Sequence, residues 1–347
     1  MSMTGRPESL PDRPAGATPD PLSEVLRAIH FTRAIYYTVD AGGPWPVIEV
    51  PPGVELASSL GAHTRTVLSY HVIVEGSCWT GLDEPRGEGA REGLALERGD
   101  VVVYPRGDAY FLAPDLATLP RGGADASAMR GLLAGVADGS IPATFSRGPA
   151  DADRTRFVCG FLGCDAPPFN PLLQALPRML VVRRASGRLE RLGELALAEV
   201  DGAGAASVRE RLSESMFIET VRSHLTLGAP GWLDGLGDPL VGRALSLIHA
   251  APAEPWTTGS LARQAGASRS TLADRFTRLV GQPPMRYLAA WRMRLAADRL
   301  GRPEATVAEA AHHAGYDSEA AFSRAFKKAT GVTPGAWRDG QTTKPDL

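Results

Sequence analysis

Ser268-x3-Leu272-x3-Phe276-x4-Gly281-x2-Pro284-x2-Tyr287 is matched, position for position at a shift of 50, by Ser318-x3-Phe322-x3-Phe326-x4-Gly331-x2-Pro334-x2-Trp337. Self-similarity at a fixed period marks a repeated structural unit. In the first copy Leu261, Ala262 and Ala265 form the inner face of a short helix and Gly266-Ala267 the turn. Ser268 caps a second helix whose Leu272, Phe276 and Leu279 face inward at a period of 3.6. Arg269, Ser270, Thr271, Ala273, Asp274 and Arg275 are left on the outer face or its margins. The second copy opens on Thr306-Val307-Ala308-Glu309, a capping box, turns at Gly315-Tyr316-Asp317 and caps again at Ser318. Phe322 and Phe326 point inward there; Glu319, Ala320, Ser323, Arg324, Lys327 and Lys328 lie outside. Both copies read as helix-turn-helix units.

The rest of the chain is divided by charge. Its 347 residues allow two domains and carry a formal charge of −2. Residues 238–347 hold 15 Lys and Arg against 10 Asp and Glu, a net of +5, which leaves 22 against 29, a net of −7, before them. A basic C-terminal part points to a polyanionic partner. No apolar run approaches the ~18 residues that span a bilayer, and the N-terminus has no signal-peptide pattern, so a cytoplasmic chain without membrane contact is expected. Three cysteines, Cys78, Cys159 and Cys164, are too few and odd in number for a disulfide framework.

Residues 1–20, with Pro7, Pro11, Pro14 and Pro19, read as a disordered leader. From about Leu22 to Leu112 the pattern is mostly β. Within Val67 to Glu75, Tyr70, Val72 and Val74 share one face and His71, Ile73 and Glu75 the other. A turn follows at Gly76-Ser77, and Leu94 to Leu96 and Val101 to Tyr104 are short strands separated by Arg98-Gly99-Asp100. Strands at this spacing suggest a sandwich or small barrel. The segment from Asp115 to Arg154 reads as a loop or lid, with at most a short helix at Met129 to Val136. Strand character returns at Arg156 to Leu162, breaks at Pro167 to Pro171 and resumes at Met179 to Val182. A helix near Ser207 carries Val208, Leu212, Met216, Ile218, Val221, Arg222 and Leu225 as a stripe. It either packs on its own domain or, over residues 207–227, pairs two copies in a homodimer. Residues 228–237 read as a linker. After it Leu240, Ala244, Leu247 and Ile248 share the face of a first helix.

A helix fits the major groove, its N-terminal residues reaching base edges while the preceding helix crosses the backbone. The helix from Pro284 to about Leu300 would be ~24 Å long, enough to hold two reading helices near one duplex turn apart. On Ala265-Gly266-Ala267-Ser268, Arg275-Phe276, Gly281-x2-Pro284, Tyr287-x4-Arg292, Ala314-Gly315-Tyr316, Phe322 to Lys327 and Gly331-Val332-Thr333-Pro334, residues 238–340 resemble the DNA-binding domain of AraC/XylS-type transcription regulators. The resemblance implies sequence-specific binding of promoter DNA. By it Arg269, Ser270, Ala273 and Asp274 in the first unit, and Glu319, Ala320 and Arg324 in the second, are base-edge candidates. Arg269 or Arg324 suits guanine, Glu319 or Asp274 cytosine, and Ala320 a thymine methyl. Lys327, Lys328, Arg278, Arg292 and Arg294 suit phosphate or plain surface charge.

Gly99-x5-Pro105-x-Gly107-x2-Tyr110 resembles the second motif of the cupin barrel, with Tyr110 where a metal-binding His is usual. His71-x3-Glu75-Gly76 lies where the first motif would, with Ile73 in place of its second His. One His and one Glu are too few for a first-row metal, so neither a metal nor another cofactor is expected. Residues 21–200 thus resemble the cupin-type sensor domain found before AraC-type reading units. The expected architecture is α+β: a cupin-like barrel with flanking helices, then an all-α domain with two helix-turn-helix units. The resemblance implies an effector or stress signal, with His71, Trp79, Tyr104 and Tyr110 as pocket candidates and the three cysteines as redox candidates. RNA polymerase is a further partner of such a regulator. The competing readings are a metal-dependent cupin enzyme with a DNA-binding appendage and a DNA-repair alkyl acceptor; the latter needs an activated cysteine, and none follows Cys164.

Overall fold

A computed structural model of the chain describes residues 20–27, 31–43, 45–61, 64–83, 93–119, 126–148, 153–164, 173, 176–184, 187–198, 202–226, 232–302 and 304–342. The expected leader, apart from Asp20, and the break at Pro167 to Pro171 lie outside these residues. The N-terminal half opens with α1 (Pro21–Arg27), β1 (Phe31–Gly42), β2 (Ile48–Val50) and a short α2 (Gly53–Leu56). Five strands follow: β3 (Thr66–Glu75), β4 (Ser77–Leu82), β5 (Leu94–Glu97), β6 (Val101–Tyr104) and β7 (Tyr110–Ala113). Then come α3 (Ala126–Asp138), β8 (Thr144–Arg147), β9 (Arg154–Cys164), β10 (Leu180–Val182), α4 (Gly187–Ala198) and α5 (Ala205–Thr226).

Two sheets face each other. The larger runs β10-β6-β3-β9-β1-β8 and the smaller β2-β7-β4-β5. Pairing is antiparallel except between β1 and β8. Alternation in β3 sorts its side chains as expected, and both of its faces are buried. Ile73 joins Tyr37, Cys78, Tyr104, Tyr110 and Phe161 between the sheets. Tyr70, Val72 and Val74 lie on the outer face under α4 and α5, with Leu189, Leu212, Met216, Phe217 and Val221. A strand covered on both sides reads as a nearly unbroken apolar run, which is what Thr66–Glu75 is. Polar ties seat the helices: the Tyr70 hydroxyl donates to Ser213 Oγ at 3.0 Å, and Ser213 Oγ donates to the Ile35 carbonyl at 3.2 Å. Tyr70 also explains Gly160, since a Cβ there would stand 2.0 Å from the tyrosine ring.

Three expectations are corrected. The supposed loop from Asp115 to Arg154 contains the 13-residue α3 and the strand β8. Met129, Leu133 and Val136 of α3 enter the core between the sheets, so tertiary burial supports a helix whose Gly and Ser content concealed it. The stripe on α5 is also different. Leu212, Ser213, Met216, Phe217, Thr220 and Val221 are buried against the sheet, whereas Val208 is 44% exposed. Packing on its own domain accounts for that face without a second copy. Finally, the expected linker holds α6 (Trp232–Gly237), which packs on the helices that follow.

Those helices are α7 (Pro239–Ala250), α8 (Thr258–Ala265), α9 (Arg269–Val280), α10 (Pro284–Leu300), α11 (Val307–His313), α12 (Glu319–Thr330) and α13 (Pro334–Thr342). The buried face of α7 is Val241, Ala244, Leu245 and Ile248, with Leu240 and Leu247 at its margins. Two separate cores serve this half. Tyr287, Leu288 and Trp291, from the first part of α10, share one core with α7, α8 and α9, and through α1, which packs on α7, with the outer face of the larger sheet. Met293, Ala296, Ala297 and Leu300, from its second part, belong to another with Ala310, Ala311, Ala314, Phe322 and Phe326. One helix thus spans both units, and each end is owned by a different core.

Candidate nucleic-acid interface

Each reading helix is built the same way. Ser268 Oγ accepts from the Thr271 amide at 3.2 Å and Ser318 Oγ from the Ala321 amide at 3.2 Å, satisfying a donor that the first turn leaves free. Gly281 and Gly331 close the two helices with φ of +80° and +83°, the left-handed turn that favours glycine. The rings behind them repeat as well: Tyr287 meets Phe276 edge-on at 5.7 Å, and Trp337 meets Phe326 edge-on at 5.8 Å. The preceding helices also share a device. The expected capping box at Thr306 and Glu309 is present, with bonds of 3.0 and 3.1 Å. Thr257 and Ser260 form its counterpart on α8, which the sequence did not reveal because Ser stands where Glu or Gln is the usual signature.

Anchoring at one end by these caps and along one side by Leu272, Phe276, Phe322 and Phe326 fixes what faces outward. Arg269, Ser270, Thr271 and Asp274 are exposed and Ala273 half-buried; Glu319, Ala320 and Arg324 are exposed and Ser323 half-buried. Positions 269, 270, 273 and 274 therefore lie together on the N-terminal part of α9, and 319, 320, 323 and 324 on the same part of α12. Lys327 and Lys328 are exposed one turn further along. Among the described residues no ion pair is formed by Arg269, Arg324, Lys327 or Lys328.

Several expected contacts are placed otherwise. Arg275 is ion-paired with Asp238 at 2.6 Å, and the same carboxylate caps α7, so this guanidinium fastens α9 to α7. Those bonds to backbone amides and to Arg275 hold Asp238 below the usual carboxylate range, against the opposing effect of burial. Ser268 and Ser318 are engaged as caps. Arg292 is not a surface charge: it donates to the carbonyls of Pro252 at 2.7 Å and Glu254 at 2.8 Å, and partial burial lowers its pKa. Arg294 is only 1% exposed and pairs with Asp298 at 3.0 Å. Spacing alone placed both on a helix; only packing reveals that each faces inward.

In the barrel, three of the four pocket candidates converge. His71 Nε2 is 2.7 Å from the Tyr110 hydroxyl, and the Tyr104 and Tyr110 rings stack with centroids 3.7 Å apart. All three are fully buried, and burial pushes the His71 imidazole down to about 3, so it is neutral. Its Nδ1 is buried without a hydrogen-bond partner. Trp79 does not join them. It alternates with Cys78 and Thr80, which point between the sheets, and so stands on the opposite face of β4. No group of three His, Cys, Asp or Glu able to hold a metal ion occurs among the described residues.

Cys78, Cys159 and Cys164 are buried and form no disulfide. Cys159 lies between the sheets and Cys164 on the outer side, as residues five apart on an extended strand must. Burial, with a smaller contribution from Asp100, pushes the Cys78 thiol up to about 12, and burial raises Cys159 too. The reactive thiolate is thereby suppressed in this arrangement. No helix among the described residues is long and apolar enough to cross a membrane.

Comparison with known proteins agrees with this division. A cupin family model matches residues 20–226 and a helix-turn-helix domain model residues 261–340. The chain is 32% identical to an AraC-like transcription regulator of Streptomyces antibioticus over 92% of its own length and 98% of the relative's. It is 29% identical to the HTH-type transcriptional regulator AlkR of Acinetobacter baylyi, over 92% and 99%. Among solved structures, the DNA-binding domain of AdpA in complex with a target DNA is 28% identical, covering 32% of this chain and 99% of that one, with a TM-score of 0.30. A cupin domain followed by two capped reading helices, and this likeness along nearly the whole chain, make it a member of the AraC family of DNA-binding transcription regulators.

Proposed function

We propose that α9 and α12 enter successive major grooves of one duplex, and that the barrel takes up the signal that sets this binding. The observation that carries the first part is the repetition of exposed positions 269, 270 and 274 and half-buried 273 at 319, 320, 324 and 323, on helices joined by the single α10. Arg269, Ser270, Ala273, Asp274, Glu319, Ala320, Ser323 and Arg324 are the base-edge set, with Thr271 at its margin and Lys327 and Lys328 on phosphate. The second part is supported by the His71, Tyr104 and Tyr110 cluster, whose unpartnered Nδ1 offers a small effector a polar contact inside the barrel. In this reading the chain regulates without catalysing a reaction, and a second copy and RNA polymerase are its further partners. Footprinting on a duplex selected from a random pool tests it. Protection of two grooves, with affinity falling steeply as salt rises, is expected. Protection of one groove, or equal affinity for scrambled DNA, would remove it.

A further inference from the structure

Polar ring groups meet in the core between α7 and α10. His249 Nε2 is 2.8 Å from the Tyr287 hydroxyl, and the His249 ring lies 4.4 Å from that of Trp291. Tyr287 in turn meets Phe276 of the first reading helix. His249 Nδ1 and Trp291 Nε1 are both buried without a hydrogen-bond partner. Burial pushes His249 down to about 3, so the imidazole is neutral near pH 7. Apolar side chains of the same shape would suit stability better, because each orphaned polar atom has lost its water. A hydrogen-bonded pair instead selects one arrangement of the two helices where smooth apolar surfaces accept several.

We propose that His249 is a positioning residue for DNA recognition: by fastening Tyr287 it fixes the angle at which α10 leaves the first unit, and with it the phase between the two reading helices. The proposal rests on the reading that both helices engage one duplex. Its leverage is geometric. A helix of 17 residues is ~26 Å long, so a tilt of ~10° at its start moves its far end by roughly 4 Å, more than the ~3.4 Å step between base pairs.

The test uses the full chain and a duplex it selects from a random pool, together with derivatives carrying one base pair inserted or deleted between the two protected grooves. Wild type is expected to lose about tenfold or more in affinity when the spacing changes. His249→Phe and Tyr287→Phe should each shrink that ratio to about threefold or less, and the double variant should shrink it no further, because both act through one bond. Tyr287→Phe leaves every carbon in place and covers the case in which His249→Phe fails to fold. A variant that binds more weakly at all spacings yet keeps the wild-type ratio would show a merely structural bond and overturn the proposal. If wild type itself ignores spacing, the two-groove reading falls and the clamp falls with it.

Discussion

Behind the first reading helix, α7 presents Val241, Ala244, Leu245 and Ile248; behind the second, α10 presents Met293, Ala296, Ala297 and Leu300. The outer faces of the two units follow one plan, and their inner supports do not. The first unit rests on an apolar core that runs on through α1 to the larger sheet. The second rests on a smaller core of Met293, Leu300, five alanines and two phenylalanines, beside the buried Arg294 and its partner Asp298. A change in the barrel therefore reaches the first unit through packed side chains, and the second through α10 and the close approach of Gly315 to Ala253. A duplicated reading frame has acquired an asymmetric mount.

The largest effects that sharpen this contrast come from the cores. Phe276→Ala and Phe326→Ala should each cost about 3 to 5 kcal/mol, as deleting a buried ring does. Hydrogen exchange should spread the loss of protection from Phe276→Ala over α7, α8 and the first part of α10, and confine that from Phe326→Ala to α11, α12 and the end of α10. Equal spread in both would abolish the distinction.

Acid should separate the units next. His71 and His249 have folded values near 3 against an unfolded value of about 6.5, both lowered by burial. Between these limits the unfolded chain binds more protons, so stability is full above about pH 6.5 and falls as pH drops, by about 2 kcal/mol per group near pH 5. The second unit's histidines, His312 and His313, are exposed. Exchange measured near pH 5 should thus loosen the barrel and first unit ahead of the second; simultaneous loosening breaks the comparison.

At the DNA, Arg269→Ala and Arg324→Ala should each cost about 1 to 3 kcal/mol on a selected duplex and relax preference at a different base pair. Loss of affinity without relaxed preference in competition binding would reassign that arginine to phosphate. The smallest effect is at the caps, where Thr257→Ala and Thr306→Ala should each remove about 1 kcal/mol from thermal stability, showing that Ser260 serves as well as Glu309.

Much of this was legible before any fold was known. Ser268, Ser318 and the Thr306 capping box act within one turn of chain, and alternation in Thr66–Glu75 follows from strand geometry, so local spacing sufficed. The full extent of α3 beyond a short helix at Met129 to Val136 was not legible, because Ser127, Gly131 and Gly135 weaken a pattern that only burial of Met129, Leu133 and Val136 restores. The face of Trp79 required knowing which side of β4 meets the other sheet.

Two capped reading helices 50 residues apart and a β domain before them follow from the order of residues, since caps, periodicity and charge are properties of neighbours along the chain. Packing across the fold makes fasteners of Arg275, Arg292 and Arg294, brings His249 to Tyr287 and divides α10 between two cores. Those outcomes depend on partners up to 40 residues away, as Arg292 and Pro252 are, and no local pattern records which distant group will neutralise or cover a side chain.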